Sequence, residues 1–138
     1  MILTSKQIRK RLKKIWPDLK HVWLTDKEYL AVKERELQLV LHEWEGQLKN
    51  YEYKPSITEC EEYALFLHAF VKLKQLANRN DKFNWAYGEC ITSQLLGFEA
   101  VHSANIFITH NKIYIAEPQS GAFWEVNPDE DTVFFVKM

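Results

Sequence analysis

The order of hydrophobic periods constrains this chain most. Apolar residues recur at helical spacing through the first half, and from Val101 onward they alternate with period two. Ile8, Leu12, Ile15 and Trp16 make the stripe of a helix over 6–16, capped at Ser5 and stopped by Pro17. Alternation of Leu19, His21 and Trp23 with Lys20, Val22 and Leu24 predicts a short strand, and 29–32 reads as strand or helix start. Leu37, Val40, Leu41 and Trp44 predict a helix over 34–44 that ends at Gly46. A loop over 47–57 follows. Thr58 and Glu61 form a capping-box pair, so the next helix runs over 59–76. Its broad apolar set, including Tyr63, Ala64, Leu67, Phe70 and Val71, predicts the central, most buried helix. After a polar turn at 78–84 come strands at 85–91, at 101–109 with 112–117 around His110-Asn111, and at 122–126 with 132–137 around Asn127-Pro128-Asp129. Helices followed by a meander of strands predict an α+β fold with an antiparallel sheet.

At 138 residues and 46% apolar content, one domain over 1–138 with one core is expected. It divides into a helical part over about 1–50, a helix over about 58–76 and a sheet over about 85–138. No apolar run reaches the roughly 20 residues of a membrane helix. The N-terminus lacks the apolar stretch of a signal peptide, so the expected compartment is the cytoplasm and both cysteines are expected as free thiols. Charge is uneven. Residues 1–27 carry eight Lys or Arg against two Asp, and the remainder carries ten basic against seventeen acidic residues. The basic block Lys6, Arg9, Lys10, Arg11, Lys13 and Lys14 is either a solvated helix face or a contact for an acidic partner or nucleic acid. Cys and His fall in no zinc-like spacing, and only four glycines are present, without a phosphate loop. No metal or cofactor is expected.

Three residues carry candidate chemistry. Cys60 sits in the first turn of the central helix, where backbone N–H groups favour negative charge. Glu59, Glu61 and Glu62 crowd acidic groups around it. If His110-Asn111 forms a two-residue turn, Thr109 pairs with Lys112, Ala104 faces Glu117 and His102 faces Gln119. Paired residues share a side of the sheet, so His102, Glu117 and Gln119 gather at one end of the face that carries Ile106, Ile108, Ile113 and Ile115. Glu117 then lies diagonally about 7 Å from His102 along the backbones, within reach of both side chains. Asn105 falls on the opposite face unless a bulge intervenes. Trp124, with Phe123, either walls a groove or belongs to the core. His68 lies two turns beyond Cys60, roughly 12 Å along the axis, too far to be its base. Cys90 reads as a core residue.

The run Cys60-Glu61-Glu62-Tyr63-Ala64-Leu65-Phe66-Leu67 resembles the nucleophile helix of transglutaminase-like, papain-related proteins. His102-Ser103-Ala104-Asn105 resembles their strand-borne His segment, and Glu117-Pro118-Gln119 their acid-Pro segment. Small bacterial and phage proteins of this type show a similar pattern, and His102-Ser103-Ala104-Asn105 fits theirs somewhat better. The resemblance covers roughly residues 50–125 and departs from the pattern at Thr58, at Ala104 and in having Glu for Asp. It implies a transglutaminase-like core, with the Cys helix packed on an antiparallel sheet, and a thiol enzyme of the acyl-transfer class acting on a protein or peptide. Cys60 would attack a carbonyl, His102 serve as base and then acid, and Glu117 orient His102. Helix N–H groups with Gln119 would polarise the oxygen. The alternative is an inactive binding module on the same fold with a protein or nucleic-acid partner.

Overall fold

The computed structural model describes residues 1–55, 59–77 and 80–138. The expected N-cap Thr58 lies outside them. The chain opens with a strand, β1 (Ile2–Thr4), which feeds directly into α1 (Ser5–Ile15). The cap is Thr4 rather than Ser5. Its hydroxyl accepts from Gln7 N, and the Gln7 side chain accepts from Thr4 N at 2.8 Å. The strand and helix periods abut with no spacer, so the cap falls on the last strand residue. Ile8 and Leu12 form the buried stripe. Strands β2 (His21–Trp23) and β3 (Glu28–Leu30) follow, then α2 (Glu34–Gln47), which runs past Gly46 into a 3-10 turn. The third helix, α3, is Cys60–Ala77.

Five strands complete the chain: β4 (Tyr87–Leu95), β5 (Phe98–Ile108), β6 (Ile113–Ala116), β7 (Phe123–Glu125) and β8 (Thr132–Lys137). Leu96 and Gly97 turn β4 into β5, both with positive φ, as the tightest hairpin turns require. Strand order in the six-stranded sheet is β2-β8-β4-β5-β6-β7, and β1 pairs with β3 in a separate ribbon.

Two expectations are corrected here. The sheet is mixed rather than antiparallel, because β2 pairs with β8 in parallel. The last two strands are no hairpin: β7 pairs with β6, while β8 crosses the sheet to lie between β2 and β4. The Asn127-Pro128-Asp129 turn, expected to close a hairpin, is instead bonded internally by Asp131: its backbone N–H donates to Asn127 O and its carboxylate accepts from Asn127 N. That closes the turn on itself and sends β8 elsewhere.

The sheet separates two cores. On one face, Ala104, Ile106, Ile108, Ile113, Ile115, Cys90 and Val136 meet Ile8 and Leu12 of α1. On the other, Phe107, Ala116 and Tyr87 meet Leu37, Leu41 and Trp44 of α2 and Leu67 and Val71 of α3. Alternation along β5 makes this possible, since successive side chains point to opposite faces. Being buried on both sides explains why the end of β5 reads as a continuous apolar run.

Candidate functional site

β5 and β6 meet in the derived register, Ile108 opposite Ile113 and Asn105 opposite Ala116. The two-residue turn is closed by Thr109 N–H donating to Lys112 O at 3.0 Å. His102 and Glu117 therefore come together: His102 Nε2 lies 2.5 Å from Glu117 Oε2, and both side chains are 19% exposed. Glu117 sits at the root of a tight turn. Its carbonyl accepts from the N–H groups of Ser120 and Gly121, and its own N–H donates to Ala122 O. Gly121 takes φ +79, which a residue with a side chain adopts only under strain. Trp44 of α2 fastens the turn by donating its indole N–H to Pro118 O at 2.7 Å. The second carboxylate oxygen of Glu117 accepts from Gln119 N at 2.9 Å. On the neighbouring strand, the Thr92 hydroxyl donates to Ala100 O at 2.9 Å, which steadies the backbone before His102.

The electrostatics follow from this geometry. The hydrogen bond from Glu117 raises the His102 pKa above its ordinary value, against the opposing effect of burial. A protonated imidazole donates from both nitrogens. Nε2 is committed to Glu117, and among the described residues Nδ1 has no hydrogen-bond partner.

Cys60 is the first residue of α3, partly exposed, and its thiol lies 3.4 Å from Glu61 Oε2. Among the described residues its sulfur makes no hydrogen bond to His102. Glu59, Glu61 and Glu62 bring carboxylate oxygens within 4.8 Å of one another beside it. Asn105 lies on the opposite face from His102, as the register requires, and donates from Nδ2 to Ala64 O of α3 at 2.9 Å. Its Oδ1 is buried without a partner. Gln119 is exposed and contributes its backbone N–H. Trp124 is half-buried against the α1-side core and donates to Asp131 Oδ2 at 3.2 Å. Cys90 is a core residue, and burial pushes its pKa up.

A second His–carboxylate pair escaped the sequence. His68 Nδ1 lies 2.8 Å from Glu89 Oε2, and Tyr87 donates its hydroxyl to His68 O at 3.0 Å. Neither residue stands in a motif. Only the packing of α3 across β4 brings them together, and no period in either segment announces it.

No family model and no curated protein sequence matches the chain. Solved structures do. One is a PSL1a–E-64 complex, with a TM-score of 0.75 and 17% identity over 99% of this chain and 50% of that one. Another is the lectin of Polyporus squamosus bound to the human-type influenza-binding epitope Neu5Acα2-6Galβ1-4GlcNAc, with a TM-score of 0.75 and 16% identity over 99% of this chain and 49% of that one. At these identities the likeness shows the fold, and the chain spans about half the length of the structures it matches.

These findings correct the family reading. The fold is one shared with part of a lectin chain, in place of the expected transglutaminase-like, papain-like core. The acyl-transfer enzyme, the cysteine peptidase or hydrolase, and the inactive module of that family all rested on the resemblance and fall with it, and with them the support for a protein or peptide substrate. The motif order Cys, His, acid followed a helix and two strands in sequence. In the structure the imidazole and carboxylate are bonded to each other, while the thiol is bonded to Glu61. Among the described residues no helix is long and apolar enough to cross a membrane.

Proposed function

We propose that this chain is a glycan-recognition domain with the His102–Glu117 pair as its polar centre. The carrying observation is the imidazole held by Glu117, with no hydrogen-bond partner at Nδ1 among the described residues. Fold likeness to a lectin solved with a sialylated glycan supports the ligand class. Sugars present hydroxyl acceptors, and acidic sugars add a carboxylate, which a protonated Nδ1–H would hold by a charge-assisted bond. Trp124, opposite Ile115 on the same face, offers part of its ring for a sugar to lie against, and Gln119 offers an exposed amide. The lectin's chain is about twice as long, so the residues proposed here rest on this chain's own geometry.

The test is titration of the trisaccharide Neu5Acα2-6Galβ1-4GlcNAc into wild type and His102→Ala, followed by calorimetry at several pH values. Binding that weakens as pH rises through the His102 pKa, and is lost in the variant, supports the reading. Absence of binding, or binding indifferent to His102, overturns it.

One observation favours a second reading. PSL1a, of the same fold, is seen in complex with E-64, whose epoxide alkylates thiols. On this reading the partly exposed thiol of Cys60, at the start of α3, captures E-64. The Cys60 sulfur gives up its proton to solvent and bonds an epoxide carbon, the carbon–oxygen bond opens, and the oxygen takes a proton from solvent. Intact-mass measurement after incubation with E-64 decides it: one adduct on wild type and none on Cys60→Ala supports capture, and equal masses reject it.

A further inference from the structure

The α1 helix has an electrostatic character that the His102 site does not use. Lys6, Arg9, Lys10, Arg11, Lys13 and Lys14 put six cations on eleven residues, with no acidic residue in the first turn. The ion pairs among the described residues are Lys54–Glu52, Lys74–Glu43, Lys112 with Glu34 and Glu125, and the two His–Glu pairs. None involves α1, although the chain holds 19 acidic residues. A helix whose cations served only to solubilise the surface would be expected to gather some of those carboxylates, since i,i+4 and neighbouring pairs form readily.

Two of the guanidinium groups are fixed in place. Arg9 Nη1 donates to Val22 O at 2.9 Å, and Arg11 donates to Thr109 O at 2.8 Å and Lys112 O at 3.1 Å. Their partners are neutral carbonyls, so each keeps its charge and its remaining N–H groups at the surface. Arg11 and Lys14 also line a cleft of about 390 Å³ between α1 and the β6–β7 edge, with Asn111, Lys112 and Glu125 on the far wall. Lys6, Lys10 and Lys13 or Lys14 succeed one another about 5–6 Å apart along the axis, because each is roughly one turn from the next. That row suits a linear chain with regularly repeated anionic groups.

We infer that the exposed face of α1, with the cleft beside it, binds a sulfated polysaccharide. A single-stranded nucleic acid would call for exposed rings on which bases stack. The aromatic residue at the end of this helix, Trp16, is 5% exposed and donates its indole N–H to Asp131 O, and the exposed Trp23 on β2 is a single ring where a strand of bases would need a series of them. Sulfate groups need cations and donors alone, which is what the face supplies. The inference stands independently of the ligand at His102.

The test uses the full chain and a defined heparin fragment, with affinity measured across a salt series. Wild type should bind at low salt, with log affinity falling linearly against log salt, as for other polyanions. The double variant Lys10→Glu/Lys13→Glu should lose about tenfold or more, while Lys49→Glu/Lys82→Glu, an equal charge change elsewhere, should shift it far less. His102→Ala should bind heparin like wild type, which separates this site from the first. Both doubles losing affinity equally, no binding at low salt, or a DNA or RNA oligonucleotide of equal charge binding more tightly would each overturn the proposal.

Discussion

His102 is the residue whose chemistry is set most clearly by its surroundings. Its pKa is raised by the Glu117 hydrogen bond, so the pair stabilises the folded state while His102 is protonated. With Glu117 ionised, that contribution is fully present below the unfolded value near 6.5 and is lost as pH rises through the folded one. Glu117→Gln should bring the His102 pKa down, read directly from the imidazole proton shifts in an NMR titration. An unchanged midpoint would mean that the bond contributes nothing in solution. The two thiols make a contrast at the same scale. Cys60 is partly exposed and Cys90 is fully buried, with its pKa pushed up. A thiol reagent added to the native protein should consume one equivalent quickly, and a second only after unfolding. Peptide mapping should place the first label on Cys60; early labelling of Cys90 would contradict the packing.

Elements hold the pair in place through a few specific contacts. Trp44 ties α2 to the Glu117 turn, and Phe in its place removes both the indole N–H and part of a fully buried ring. Trp44→Phe should leave Pro118 O without its donor and cost about 1–3 kcal/mol in denaturant unfolding. It should also broaden or shift the His102 resonances, because the turn loses its tether. Gly88 on β4 is required for a different reason. A Cβ there would lie 1.9 Å from Lys137 O of β8, a backbone atom that cannot rotate away. Gly88→Ala should destabilise by about 1–3 kcal/mol or more, by overpacking between paired strands. Thermal denaturation showing no change in Tm would refute the close approach. The register of β5 against β6 was legible beforehand, since a two-residue turn leaves one pairing that keeps the isoleucines on a common face. The partner of β8 was not legible, because its alternation is equally compatible with β7 and with β4.

Across the whole molecule the sheet is the organising layer, and its centre joins distant parts of the chain. β4 and β5 pair along most of their lengths, with β8 and β6 on their outer edges. Amide hydrogen exchange should therefore be slowest in β4 and β5 and fastest in the two-stranded β1–β3 ribbon, which lies outside the sheet. Equal protection of ribbon and sheet centre would show that the ribbon unfolds only with the rest. The family resemblance failed at this scale for a physical reason. Short motifs record which residue types begin a helix or end a strand. They carry no information about which strand a distant segment will pair with, and that pairing distinguishes one mixed sheet from another.

The sequence alone determined local matters, because local periods and short turns decide them. These include α1 and its buried Ile8–Leu12 stripe, the long α3 with Cys60 in its first turn, and the turn at His110-Asn111 that brings His102 to Glu117. Tertiary structure decided the rest. It set β8 between β2 and β4, joined His68 to Glu89 across helix and strand, and fastened the Glu117 turn to Trp44. It turned the Cys60 thiol toward Glu61 and, among the described residues, left the six cations of α1 without carboxylate partners. Those outcomes depend on contacts between residues tens of positions apart, whose formation reflects competition among packings of the entire chain.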